Sequence, residues 1–144
     1  MKAISLFLLA SLTIPFLTSC DDDEPAPGSA LVGEWALRRT TGGIAGVDTT
    51  YAADDPPAFV TIGADGTFSF RHGPGHAGIP GFTTSYTATL TRSTDEGEVY
   101  ELTFPDESLE GTAAFTGVAQ LRGDALDFYD PALADGFTNT YVRR

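Results

Sequence analysis

Residues 82–91 read Phe-Thr-Thr-Ser-Tyr-Thr-Ala-Thr-Leu-Thr, which puts Phe82, Tyr86, Ala88 and Leu90 on one face of an extended chain and Thr83, Ser85, Thr87, Thr89 and Thr91 on the other. Successive side chains of a strand point to opposite faces, so this alternation predicts a strand with one buried and one wet face. Seven further runs rich in Thr, Phe, Tyr and Val read the same way, at 31–40, 58–63, 67–72, 99–104, 112–122, 125–129 and 137–143. No stretch repeats its apolar residues every three to four positions for long. The chain is therefore expected to be all-β.

The connectors fit that reading. Ala64-Asp65-Gly66, the segment 93–97 and Gly123-Asp124 carry Gly or Asp where hairpin turns need positive φ. Two connectors, 41–57 and 73–81, are longer and glycine-rich, and such loops usually lie at a rim where they line a site. Eight sequential strands with short turns must hide their sheet edges, and closing into an eight-stranded antiparallel up-and-down barrel is the economical way.

The N-terminus obeys a different grammar. Met1-Lys2 is followed by an apolar run over 3–16 and by the small-residue exit Leu17-Thr18-Ser19-Cys20, the layout of a secretory signal. The run is shorter than the roughly 20 apolar residues a membrane-spanning helix needs, and Pro15 interrupts it. Residues 1–19 are read as a cleaved signal peptide, 20–29 as an acidic, Pro-containing tether and 30–144 as one domain. Cys20 is the sole cysteine, which leaves no internal disulfide to form.

Leu17-Thr18-Ser19-Cys20, directly ahead of Asp21-Asp22-Asp23-Glu24, resembles the bacterial lipobox. The resemblance implies a diacylglycerol in thioether linkage to Cys20, cleavage before that residue, and acylation of the new amine with a chain such as palmitate. The partner so implied is a lipid bilayer, since several acyl chains anchor firmly where one binds marginally. The acidic run resembles the sorting signal of lipoproteins from the Bacteroidetes, which implies the outer membrane and exposure at the cell surface. The periplasmic leaflet of the envelope is the alternative. As a bare polymer the segment is a solvated spacer, extended by Pro25 and Pro27.

Beyond residue 19 the chain holds seven arginines, no lysine and twenty acidic residues, a net charge of −13. Nucleic acid is thereby disfavoured as a partner. The same charge favours a soluble monomer.

Leu31-Val32-Gly33-Glu34-Trp35 at the start of the first strand has the Gly-x-Trp spacing of the lipocalins, and the last strand ends in Tyr141-Val142-Arg143-Arg144. The domain resembles the short bacterial lipocalin-like lipoproteins. In that family the tryptophan plugs the closed end of the barrel under an arginine of the final strand, which implies a barrel-closing pair of Trp35 with Arg143 or Arg144. The chain departs from the longer lipocalins in having no helical stretch before its last strands and no cysteines for their disulfide.

Carried around a barrel, the alternation brings ten candidate pocket residues inside: Phe68, Phe70, His72, Phe82, Tyr86, Tyr100, Phe104, Phe115, Phe128 and Tyr141. They would line an aromatic pocket for an apolar ligand, or simply fill the interior, since eight strands leave room for little more than side chains. His72 and His76 are the two histidines, fewer than the three protein ligands of a catalytic zinc site, and loop polarity accounts for them better. Asp54-Asp55 and Asp95-Glu96 read as solvated loop charges, and no calcium-loop motif is present. Ser85 and Ser108 lack a nucleophile-elbow setting. No catalytic residue, metal or cofactor is expected. The function expected is a membrane-anchored, non-catalytic binding protein for a small apolar or amphipathic molecule. The alternatives are a filled barrel that meets a protein or glycan, and an envelope hydrolase with converging carboxylates.

Overall fold

The computed structural model describes residues 28–76, 80–105, 115–129 and 136–144. The signal segment, Cys20 and nearly all of the tether lie outside these residues. Among the described residues a 3-10 turn at Ser29–Leu31 is followed by ten strands: β1 (Gly33–Gly42), β2 (Val47–Thr50), β3 (Ala58–Ile62), β4 (Thr67–His72), β5 (Phe82–Ser85), β6 (Thr87–Thr94), β7 (Gly97–Phe104), β8 (Phe115–Arg122), β9 (Ala125–Tyr129) and β10 (Phe137–Arg143). They form one curled antiparallel sheet in the order β5-β4-β3-β1-β10-β9-β8-β7-β6. β3 pairs with β1 along Gly33–Ala36, and β2 pairs with it along Arg39–Gly42.

The expected closed eight-stranded barrel is corrected in two places. Residues 47–50, read as loop, form a fully exposed strand that extends β1 into a hairpin. The run 82–91, read as one strand, divides at Tyr86. Its first part pairs back to β4 and its second part forward to β7, so no stretch of it is paired on both sides. The edge strands β5 and β6 are thus successive pieces of one chain, joined covalently and not by a ladder. Tyr86 holds the joint by donating its backbone N–H to Gly66 O (2.8 Å) and its hydroxyl to Gly63 O (3.2 Å).

Alternation decides what is inside. Registered pairs such as Trp35–Val60, Val60–Phe70, Leu37–Tyr141 and Tyr141–Leu126 place these residues on the concave face. With Leu31, Ile62, Phe68, Tyr100, Leu102, Phe104, Ala119 and Leu121 they make one buried cluster. Each large side chain so buried contributes about 1.5–3 kcal/mol. A bulge between Leu37 and Arg39 shifts the register of β1. There the Arg38 carbonyl accepts from Tyr51 N–H (2.8 Å) and the Arg38 guanidinium donates to Ala52 O (2.6 Å), which fastens the segment 51–57 over the rim of the sheet.

Candidate functional site

The concave face is filled at one end and hollow at the other. At the filled end Trp35 is fully buried, its indole Nε1 donating to Leu31 O at 2.8 Å. The Arg143 guanidinium lies 4.2 Å from the indole centroid and donates to Val32 O and Ala30 O, both at 2.7 Å. Arg144 sits elsewhere, 5.3 Å from the ring of Phe59.

Further in, Phe68 is ringed by Phe104 edge-on at 5.0 Å, Phe128 at 5.9 Å and Phe82 stacked at 6.1 Å. Phe68, Tyr100 and Phe104 are buried in this part of the core. The Tyr100 hydroxyl donates to the Glu98 carboxylate.

Toward the opposite rim a cleft of about 300 Å³ remains open. Of the ten pocket candidates it takes Phe70, His72 and Tyr141. Phe70 stacks on Phe82 at 5.7 Å and meets His72 edge-on at 5.1 Å, so Phe82, half-exposed on the edge strand β5, supports the wall from behind. Tyr86 is committed to the joint between β5 and β6, and the side chain of Phe115 lies outside the described residues. The candidates left out the other six lining residues: Tyr51 and Pro57, which the segment 51–57 brings over the rim, Asn139, whose side-chain oxygen accepts from Thr40 Oγ1 at 2.8 Å, and Leu37, Ala58 and His76. The signal for the first two lay in the long loop, where no alternation marks which residues turn inward.

The cleft is of mixed lining, with His72, His76, Asn139 and the two tyrosines beside Leu37, Pro57, Ala58 and Phe70. His76 Nε2 reaches Asp55 Oδ1 at 3.3 Å, linking the turn at 73–76 to the segment 51–57. Among the described residues no three His, Cys, Asp or Glu side chains converge as a metal site would need. Tyr141 sits on the cleft floor, and burial, helped by the nearby Tyr51, pushes its hydroxyl up to about 12. Burial and the Glu98 carboxylate do the same for Tyr100, also to about 12.

These shifts have a measurable sign. A phenol raised on folding favours the neutral form, so its contribution is complete below the unfolded value near 10 and is lost as pH rises through about 12. Absorbance titration should therefore show two tyrosines ionising about two pH units late, while urea midpoints fall between pH 10 and 12. The Tyr100→Phe/Tyr141→Phe double variant should flatten that fall.

The residues thus define an open, curled all-β sheet with a cleft of mixed polar and apolar lining on its concave face. No family model, no curated protein and no solved structure matches the chain.

Proposed function

We propose that the chain is a non-catalytic, lipocalin-like lipoprotein. Acyl chains on Cys20 hold it at the outer membrane of a bacterial envelope, facing the cell surface, and its concave cleft holds a small apolar or amphipathic molecule. The observation that carries the reading is the cleft. It is an open depression of about 300 Å³ beside a well-filled core, lined by Phe70, His72, Leu37 and Tyr141 and bordered by rim segments that supply Tyr51 and His76. Ligand sites are concave and mostly apolar with a few polar groups, and this volume is at the lower end of their range. The lipobox-like run ending in Cys20 and the Gly-x-Trp motif at Trp35 support the anchor and the barrel-like family. The filled half around Phe68 and Tyr100 supports a second reading, an interaction lipoprotein that meets a protein or glycan with its outer surface.

Mass spectrometry of the protein purified from its host membranes tests both parts. Under denaturing conditions a chain beginning at Cys20 and carrying acyl mass is expected. Under native conditions a further non-covalent mass of a small molecule is expected, lost in a Phe70→Ala variant. A native mass equal to the acylated chain alone would remove the ligand and leave the interaction reading.

A further inference from the structure

A second cleft, of about 350 Å³, lies on the convex face, on the other side of the sheet from the one described above. That face carries an anomaly. Ala36 and Phe59 point outward on paired strands, yet they are buried, at 2% and 5% exposure, and belong to no part of the concave cluster. What shields them is charged. The Arg71 guanidinium lies 3.8 Å from the Phe59 ring centroid and that of Arg144 lies 5.3 Å away. Both donate to the same oxygen of Glu34, Arg144 at 3.2 Å. Arg38 faces the cleft from the β1 bulge and spends one N–H on Ala52 O. These guanidinium bonds hold Glu34 below the usual carboxylate range, so it stays ionised and keeps the arginines in place.

We propose that this cleft binds a small organic oxyanion, a carboxylate or phosphate carried on an apolar body. Four of the chain's seven arginines line it in a protein of net charge −12, which reverses the local sign: Arg143 spends its guanidinium on Val32 O and Ala30 O, and Arg38, Arg71 and Arg144 remain against the carboxylates of Glu34 and, at the rim, Asp54. A guanidinium carries five N–H donors in a planar fork that matches carboxylate and phosphate. One donor on each of Arg38, Arg71 and Arg144 is engaged among the described residues. Arg71 and Arg144 are already oriented by Glu34 and the Phe59 ring, so little rotamer freedom is lost when they bind. Phe59, Ala36 and Pro56 offer the apolar body a floor. Simple shielding of Phe59 accounts for Arg71 and Arg144, whereas Arg38, which fastens the segment 51–57 through one N–H, also lines the open volume.

Calorimetric titration of the domain with phenyl phosphate and with benzoate, against neutral benzyl alcohol, tests this. Saturable binding is expected for at least one anion at a Kd of about 1 mM or below, and none for the alcohol. The tighter anion identifies the headgroup class. Arg38→Gln should weaken binding by about tenfold, in line with the loss of one charged hydrogen bond. Asp54→Asn, an exposed change that leaves the fold alone, should strengthen it by removing a like charge. Phe70→Ala, in the other cleft, should leave it unchanged. Equal binding of the alcohol, indifference to both Arg38→Gln and Asp54→Asn, or no saturation by either anion would overturn the proposal.

Discussion

Replacing Trp35 with Ala should destabilise the domain by about 3–5 kcal/mol, the range for deleting a fully buried aromatic side chain. Its side chain has no exposed surface, its Nε1 bonds Leu31 O, and it carries the Arg143 guanidinium on one face. The loss would thus combine a cavity, an orphaned carbonyl and an unsupported cation. Trp35→Phe keeps most of the packing and forfeits the hydrogen bond, so it should cost far less, about 1–2 kcal/mol. Arg143→Gln should remove the cation–π contact, worth about 0.5–2 kcal/mol, and its two bonds to backbone carbonyls. Urea unfolding followed by circular dichroism checks all three, because Trp35 is the only tryptophan and its fluorescence goes with it. A Trp35→Ala cost under about 1 kcal/mol, that of a surface change, would mean that this end is not held by the indole.

The largest effect expected on binding comes from a glycine in neither cleft. Gly73 is buried, donates its N–H to Pro57 O at 2.9 Å, and has the Pro56 carbonyl where a Cβ would sit. The segment 51–57 and the turn at 73–76 meet there, and each forms part of both clefts. Pro57 and His76 line the concave one, while Pro56 and Pro74 line the convex one. Gly73→Ala must push the two segments apart, because the obstructing atom is backbone and cannot rotate away. Destabilisation of about 1–3 kcal/mol is expected, together with at least tenfold weaker binding of both an apolar ligand and phenyl phosphate. Gly75→Ala in the same turn is the control. Its φ of 80° strains a side chain, but a Cβ there meets nothing, so it should cost about 1–3 kcal/mol of strain and spare both sites. Unchanged affinities in Gly73→Ala would show that the rim contact does not shape the clefts.

Much of the fold was legible because period-two alternation is a local property. Phe68 and Phe70, Tyr100 and Leu102, and Leu126 and Phe128 all face inward as their spacing predicts. Sheet closure was not legible, because it depends on stagger summed over all the strands. Residues 82–91 alternate without a break across Tyr86, yet the register moves them from one partner to another at that point. The pocket candidates divided for a similar reason. Inward-facing positions are equivalent in sequence, and only their height along the sheet separates the packed Phe68 from the cleft-lining Phe70. The convex arginines gave no signal, since Arg38, Arg71 and Arg144 lie far apart in the chain and meet only through the pairing of β1, β3, β4 and β10.

The sheet order places the first and last strands side by side at its centre, so that Arg143 bonds Val32 across 111 residues of chain. Without β10, the strands β1 to β5 and β6 to β9 would share no ladder, and only the chain at Tyr86 and side-chain packing such as that of Phe68 on Phe104 and Phe128 would join them. Folding therefore has no N-terminal half that can finish early. A chain emerging from a ribosome must wait for its final strand, and such non-local pairing puts folding in about the millisecond-to-second range. Until then the concave face stays open along its length, a window in which the chain is most exposed to proteases.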